Sequence, residues 1–593
     1  MHYDMGEKIM KKIIKCLIEA FLSYSAILIY SNLIDNDLSY NLLLTSIFFL
    51  LYYFYYKTDF SFDKNIKKNS GFFSAIISLM LSIGSIVSKC IYHGAVQIFT
   101  LNSITRVIII FIGLFILIYR SYGLFLKKSN KIRIIKKNSP LKKKDFIYIF
   151  GVITIAHSLA FIRFYPGIMT ADSYAVIHYA NNFILNDFHT FGHTWFFGIF
   201  FHLGKILFNN LNHAVFFSMI IQMLSMSLIF TMGIRYFYNK GLNKSICILL
   251  TIFFALNPLH IYYSITLWRD IMFGGSFVII LICLYEFVSS EEKIKTSYII
   301  LFVIGVLILL FFRNNGIYIY LFSIPFIIIF MKNKRIIMSI LTISIACFYF
   351  IIKGPVFDYF NVEKTNSVEA FSIPLQQIAR VIASGKELDI NDEIYIRKLF
   401  KNYDSISNEY LDYLSNPIKN LTDKDILIGN KLDFLSTYVH LLCKYPSIYI
   451  DAYLSQTIGY WYPDVIYWSV GGESTSNFES ESEINSSSLL PNWCNRIIDA
   501  TLSKKVPLSS FIWSLGFQFI IVLFSTFILI YKKYYKYLLC YVPLFGLWLS
   551  MMAATPVFCE LRYVYGLFTC APFLIFLPFI INNNKIKERK QND

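Results

Sequence analysis

Long apolar runs, broken by short polar or lysine-rich stretches, occupy nearly the whole chain. A spanning helix needs roughly 20 mainly apolar residues to cross about 30 Å of hydrocarbon, and these runs approach or exceed that length. The pattern predicts fourteen spans, near 13–34, 41–56, 71–90, 104–120, 146–164, 213–237, 245–264, 271–288, 297–312, 316–331, 336–352, 510–531, 537–556 and 562–582. The fold class that follows is an all-α polytopic membrane protein, because a helix satisfies its own backbone groups inside lipid. One further apolar run, Phe191-Gly-His-Thr-Trp through Phe208, is ambiguous between a span and a surface helix. No period of about 20 to 50 residues recurs, which argues against a repeat protein.

Charge resolves the ambiguous run. The net charge of +17 does not point to nucleic acid, because the lysines cluster between spans. Lys127, Lys128, Lys131, Arg133, Lys136, Lys137, Lys142, Lys143 and Lys144 follow one another with no acid among them. Such runs mark cytoplasmic loops, and anionic lipid is their nearest partner. If 191–208 lies in the membrane surface, Lys240 with Lys244, Lys332 with Lys334 and Arg335, Lys532 with Lys533 and Lys536, and the N-terminal Lys8, Lys11, Lys12 and Lys15 all fall on that same side. The expectation is an interfacial helix at 191–208, cytoplasmic termini, and residues 353–508 outside the cell. That insertion holds 20 of the chain's 37 acidic residues but only 14 of its 54 basic ones, as suits a translocated domain.

Four regions follow: 1–145, a four-span module with its basic cytoplasmic loop; 146–352, a transmembrane module with an outer loop at 165–212; 353–508, a mainly helical extracytoplasmic domain; and 509–593, a C-terminal module of three spans and a cytoplasmic tail. Within 353–508 the helices expected are Pro374 to Ser384, Asp392 to Lys401, Asp433 to Lys444 and Pro446 to Tyr460. The Ser/Glu-rich stretch Gly471 to Ser488 reads as a mobile loop. A hydrophobic fraction of 56% and an aromatic fraction of 18% agree with the membrane class. The ten cysteines are scattered without a CxxC pair, which excludes the usual zinc patterns and any disulfide framework. No short apolar segment with a small-residue cleavage site stands at the start, so no removable signal peptide is expected.

With this topology the short polar clusters gather on the outer side, whereas the inner loops are plain lysine runs. Asp172 comes first, in Tyr165-Pro-Gly-Ile-Met-Thr-Ala-Asp-Ser173, where a span ends at a Pro-Gly turn. Either Thr170 or Asp172 caps a helix beginning at Ser173, and a carboxylate at such a corner is both oriented and exposed. His189 and His193, one helical turn apart, suit hydrogen bonding to substrate or to Asp172 better than metal, since no third ligand is in reach. Trp268-Arg269-Asp270, Arg313-Asn314, Glu560 and Arg562 flank other spans on the same face. Arginine at an outer helix end runs against the inside bias and suits an anion, because a guanidinium grips phosphate through two parallel hydrogen bonds. Gln376 and Arg380 on Ile373-Pro-Leu-Gln-Gln-Ile-Ala-Arg380, with Tyr460 and Trp461 in Gly459-Tyr-Trp-Tyr-Pro-Asp464, complete the candidates.

These features resemble the GT-C class of integral-membrane glycosyltransferases. The matching pieces are Asp172 in YPGIMTADSYAV, the following HTWFFGIFFHLGKILF helix, and the late outer domain. The chain also resembles a bacterial GT-C-related family with a YPG…DS motif, a PLQQIAR segment and a GYWYPD stretch, covering roughly 146–582. The resemblance implies transfer of a sugar from a polyprenyl-phosphate carrier to a cell-envelope glycan, lipid or protein acceptor on the outer face, amid membrane lipids and without nucleic acid. Asp172 is then the general base of an inverting transfer, and Arg313, Arg562 and Arg380 neutralise the departing phosphate. Tyr165, Trp268, Tyr460 and Trp461 would line the sugar or lipid groove, with His189, His193, Arg269, Asp270, Asn314, Gln376 and Glu560 around the substrate. The acid motif lacks a paired DxD or ExD form, so neither metal nor cofactor is expected. Two other readings stay open at this level, a transporter or flippase of lipid-linked saccharide and a noncatalytic envelope-assembly protein. Mid-membrane polar residues and broken helices would favour transport.

Overall fold

A computed structural model describes residues 2–31, 41–58, 60–93, 98–129, 132, 140–290, 294–331, 334–365, 367–465, 467, 484–502 and 510–581. Lys131, Arg133, Lys136, Lys137 and Lys332 lie outside them, as do residues 471–483 of the Ser/Glu-rich stretch and the tail from 582. The described chain is helical, with isolated β-bridges in place of any strand. Among the described residues fourteen α-helices precede residue 353: α1 His2–Ser31, α2 Asn41–Lys57, α3 Lys64–His93, α4 Leu101–Ser129, α5 Lys143–Ser158, α6 Ala171–Asn181, α7 Phe191–Phe208, α8 Leu211–Asn239, α9 Lys244–Leu256, α10 Pro258–Ser264, α11 Arg269–Ser289, α12 Thr296–Phe312, α13 Gly316–Phe330 and α14 Arg335–Ile351.

Among the described residues nine helices are long and apolar enough to cross a membrane: α1, α3, α4, α5 with its extension to Ile162, α8, α11, α14 with its extension to Tyr359, Tyr535–Ala554 and Leu561–Ile580. α9 and α10 qualify only as a pair bent by 56°, and α12, α13 and Leu515–Tyr531 are shorter apolar helices. The bend has a local cause. Pro258 has no N–H to give Phe254 O, the carbonyl it would meet in an unbroken helix. His157 Nε2 on α5 donates to that carbonyl instead, at 2.9 Å, and Asn257 caps the restart by accepting from Leu259 N at 3.0 Å. A buried histidine in an apolar body is thereby explained by backbone repair.

α11 is the central post, with 94% of its apolar window buried against neighbouring helices. Its neighbours include a helix from far along the chain, since Gly274 and Gly566 let α11 and Leu561–Ile580 approach each other over Tyr565 and Phe277. Residues 353–508 keep a separate core that includes Leu375, Ile378, Ile396, Leu399, Leu441 and Tyr449. Its four expected helices form, as Ser372–Ala383, Ile390–Leu399, Lys431–Lys444 and Pro446–Thr457, the last continuing into a tight turn Ile458–Tyr460.

One difference from the expected boundaries bears on the site. The helix after the Pro-Gly turn begins at Ala171, so Thr170 alone is its N-cap and Asp172 sits in the first turn. Thr170 and Ser173 cap reciprocally, the Ser173 hydroxyl accepting from Thr170 N at 3.0 Å, which uses the cap positions and leaves the Asp172 carboxylate for other work. α7 buries His193, Thr194, Phe197, Gly198, Phe201 and Gly204 on one side. It leaves Trp195, Ile199, Leu203, Ile206 and Leu207 exposed on the other.

Candidate active site

The loop before α6 is fixed by pairing with the loop before α11. Ile168 N donates to Ile265 O at 2.9 Å, and a Cβ at Gly167 would stand 3.0 Å from that same carbonyl. Trp268 Nε1 donates to Thr170 Oγ1 at 2.8 Å, and Ser173 Oγ donates to Leu267 O at 3.1 Å. Below them Gln222 on α8 donates to Ser264 O and Thr266 O. Two loops nearly a hundred residues apart therefore move as one body, with Asp172 from one beside Trp268, Arg269 and Asp270 from the other.

Arg562 closes the site from the far end of the chain. Its Nη1 donates to Asp172 Oδ2, and its Nε lies 3.6 Å from Glu560 Oε1. The guanidinium lies 4.7 Å from the Trp268 ring centroid and 5.4 Å from that of Tyr563, contacts that favour a cation. Arg313 shares the Tyr563 ring, at 4.1 Å, and donates from Nη1 to Asp270 Oδ1 at 2.6 Å. Asp270 keeps only 2% of its side-chain exposure and Arg313 11%. This is a dry, hydrogen-bonded pair whose loss on one side strands the other. Asp172 by contrast keeps 39%. Burial pushes its carboxyl upward, but the charges of Arg562 and Arg269 outweigh that and hold it well below the usual carboxylate range.

Arg269 stands apart from the other two guanidinium groups. Among the described residues it has no carboxylate partner within ion-pair distance; its Nη1 donates to Phe188 O and its plane faces the Phe188 ring at 5.7 Å. His189 follows directly, 5.3 Å ring to ring from Tyr179 and 5.0 Å from Phe188. Burial, then the Arg269 charge, push the His189 imidazole down to about 4 against the upward pull of Asp172. His193, one turn into α7, is 1% exposed, and both of its ring nitrogens lack a partner. Burial first, then Arg269 and His189, hold it down to about 3, so it stays neutral, with a donor to offer that nothing in the fold uses.

The remaining candidates are placed around or away from this cluster. Asn314 donates to Asp187 O and Thr365 Oγ1, each at 2.9 Å, and accepts from Lys353 at 2.9 Å. Tyr165 exchanges backbone hydrogen bonds with Ser487, which draws the end of the Ser/Glu-rich stretch onto the Asp172 loop. Residues 484–488, expected to be mobile, are thus tied down. Tyr460 and Trp461 are buried and bonded within the protein, Tyr460 OH to Val557 O at 3.0 Å and Trp461 Nε1 to Thr457 Oγ1 at 3.3 Å. They buttress the site and present no ring to a groove. Gln376 donates to Leu411 O and Gln456 Oε1. Arg380 donates to Asp412 at 2.8 Å, with both side chains largely buried. Neither touches the Asp172 cluster, so the expectation that Arg380 holds the same phosphate as Arg562 is not met.

Sequence reasoning missed Tyr563 as the shared platform, and it missed Lys353, whose Nζ donates to Asp187 Oδ1 across 166 residues. The local hint was Lys353 at the end of an apolar helix. One trio of possible metal ligands occurs among the described residues, Asp389, Asp392 and His440, within 353–508. An ammonium already fills its cation role: Lys444 Nζ bonds Asp389 at 2.6 Å while His440 Nδ1 bonds Asp392 at 2.5 Å. A family model described as a family of unknown function (DUF6020) matches residues 157–593. No curated protein matches the chain, and no solved structure matches it. The match begins at the end of α5, so α1 to α4 lie outside it.

Proposed function

We propose that this chain, which belongs to the DUF6020 family, transfers a sugar from a polyprenyl-phosphate donor to an acceptor hydroxyl at the outer membrane face. The observation that carries the reading is the meeting of Asp172, Arg562, Arg313, Asp270 and Glu560 in one cluster. In the reaction the acceptor oxygen attacks the anomeric carbon, its proton passes to Asp172, and the bond to the phosphate oxygen breaks with its electron pair leaving on the lipid phosphate. Positioned base assistance of this kind is worth about 10² to 10⁴ in rate. The pair with Arg562 keeps Asp172 ionised while the site is empty. Arg269, with no carboxylate partner, is the cation best placed to take the leaving phosphate, ahead of the ion-paired Arg313 and Arg562.

The same reading takes the nine long helices, the bent α9–α10 pair, the three shorter apolar helices and α2 as fourteen spans. α7 lies in the outer interface with its bare apolar face toward lipid. The lysine loops, both termini and the residues 532–536 are cytoplasmic, and 353–508 is extracytoplasmic. No nucleotide sugar is at hand on that side, which is why a lipid carrier suits the topology.

The test is purified protein in lipid nanodiscs incubated with a panel of undecaprenyl-phosphate hexoses, following release of the lipid phosphate. Release by the wild type that disappears in Asp172→Asn supports the proposal; equal release by both sinks it. The bent α9–α10 pair is the one observation favouring a lipid-saccharide transporter instead. Movement of an intact lipid-linked hexose across a vesicle bilayer, unchanged in Asp172→Asn, would select that alternative.

A further inference from the structure

The four N-terminal helices lie outside the stretch that defines the family, yet they are packed into the rest of the protein at both ends of α3. At one end Asn65 and Asn69 donate to Tyr531 O and Phe527 O, at 3.3 and 3.0 Å, and Phe73 sits 5.5 Å from Phe527 and 6.0 Å from Phe524, ring to ring. At the other end α3 meets Tyr462. Gly84 is pressed onto that side chain so closely that a Cβ there would stand 2.2 Å from Tyr462 Cδ2 and 2.8 Å from Tyr462 Cβ. The Tyr462 hydroxyl meets those of Tyr30 on α1 and Ser88 on α3. Its ring centroid lies 6.3 Å from that of Tyr30. The N–H of Ile98, just before α4, faces the carboxylate of Asp451 on Pro446–Thr457.

Tyr462 belongs to a strap, residues 446–465, whose other side holds the loop that carries the charged site. Tyr453 OH donates to Met552 O at 3.2 Å and Gln456 Nε2 to Thr555 O at 3.1 Å. Gly459 N donates to Phe558 O at 3.0 Å, and a Cβ on Gly459 would stand 2.4 Å from Cys559 Cβ. Tyr460, 1% exposed, is the knot. Its hydroxyl donates to Val557 O at 3.0 Å and accepts from Thr555 Oγ1 at 2.9 Å and from Glu560 N at 3.4 Å. Trp548 Nε1 donates to its carbonyl at 2.9 Å. Two residues beyond Glu560 comes Arg562, on Asp172.

We infer that α1 to α4 are an intramolecular clamp, which seats Tyr462 and through the strap holds loop 555–562 so that Arg562 meets Asp172; Tyr460 and Tyr462 are its positioning residues. The physical reason is continuity of tight contacts. Each link is either a hydrogen bond or a glycine contact with no room for a methyl group, so a displacement at Tyr462 cannot be absorbed before it reaches residue 560. Close-packed protein interiors transmit strain in this way, and the path has one discrete arrangement to lose. The chemistry itself remains with the portion that the family shares. The clamp's effect on turnover rests on the reading of Asp172 as the base; its effect on loop 555–562 does not.

The test compares Gly84→Ala with Gly71→Ala in the full-length protein in nanodiscs. Both add one methyl group to α3, but a Cβ at Gly71 meets nothing within 4 Å. Tyr462→Phe, which removes only the hydroxyl shared with Tyr30 and Ser88, serves if Gly84→Ala does not fold. Hydrogen–deuterium exchange should quicken about tenfold in residues 555–563 for Gly84→Ala or Tyr462→Phe and stay at the wild-type rate for Gly71→Ala, since protection reports local opening. With the undecaprenyl-phosphate hexose panel, kcat should fall several-fold in the clamp variants with KM unchanged. The acid limb of the rate should also rise toward the ordinary carboxylate range as Arg562 loosens from Asp172. Unchanged exchange in 555–563 in a folded clamp variant overturns the inference, as does faster exchange with an unshifted acid limb. If the wild type releases no lipid phosphate at all, the sugar-transfer reading fails while the exchange comparison still decides the clamp.

Discussion

α11 runs between two charged regions that solve the same electrostatic problem differently. At its C-terminal end the cations bond to backbone. Lys334 Nζ donates to Ser290 O at 2.9 Å and Ser290 Oγ at 2.8 Å, Lys536 Nζ to Val288 O at 3.2 Å, and Lys532 Nζ to Pro578 O at 3.3 Å. These carbonyls close helices, where partial negative charge collects and lysine is the natural complement. The one carboxylate there, Glu286, takes Lys240 at 2.5 Å and the Tyr236 hydroxyl at 2.8 Å. At the N-terminal end Asp172 and Asp270 bind arginines backed by aromatic faces, Arg269 spends an N–H on Phe188 O without pairing an acid, and among the described residues the buried ring nitrogens of His193 are left over. A region whose polar groups end on backbone carbonyls is a finished structural device. A region whose polar groups interlock and leave donors unused has capacity for a ligand.

The sharpest way to break that contrast is Asp172→Asn, which should lower turnover on the hexose panel by about 10² to 10⁴ with the fold and membrane insertion intact. A loss of less than about threefold, far short of general-base magnitudes, would make the outer region structural as well.

Next in size is Arg313→Leu, which leaves Asp270 buried without its cation. Destabilisation of roughly 3–5 kcal/mol is expected, read as a fall in the thermal midpoint, with much of it recovered in the Arg313→Leu, Asp270→Asn double variant. Failure of the second substitution to recover stability would mean that Arg313 acts through Tyr563 and not through the ion pair.

Asp451 offers a pH test within residues 353–508. Burial pushes its carboxyl up to about 6, above its value of about 3.9 in the unfolded chain. Below about pH 4 both states hold the proton, and the group is neutral toward stability. As pH rises toward 6 the unfolded chain ionises first, so folding loses stability and the penalty is full above the folded value. Asp451→Asn should therefore raise stability at pH 7.5 by up to roughly 3 kcal/mol and change little at pH 4. A uniform shift at both pH values would assign the effect to packing against Ile98.

The smallest effect belongs to the opposite end of α11. Lys334→Met should change stability by about 1 kcal/mol or less, as expected for a partly exposed cation, and leave turnover untouched. A large loss of turnover there would extend the functional region through the whole length of the helix.

Much of the fold was legible because its signals are local. Apolar runs marked the helices, Pro374 and Pro446 marked helix starts within one or two residues, and the lysine loops sorted the polar clusters into two sets. Asp172, Arg313 and Arg562 were recognisable as candidates because each breaks an apolar pattern at a helix end. Arg380 satisfied the same rule and joined a different pair, with Asp412 inside the outer domain, since nothing in its neighbouring residues encodes which carboxylate will face it. The start of α6 lies two residues before the expected Ser173 for a related reason: Thr170 and Asp172 are both competent caps, and the loop's attachment to Leu267 decided for Thr170.

The amino-acid sequence by itself determined that the chain is a bundle of apolar helices with an acidic insertion, because burial in lipid depends on runs of neighbouring side chains. Only the tertiary structure decided that Arg562 would find Asp172 across 390 residues, that Tyr563 would meet two guanidinium groups, and that Arg269 would pair with no acid among the described residues. Those outcomes depend on which helix ends are brought together, and helix association in three dimensions is set by packing between segments that carry no mark of one another.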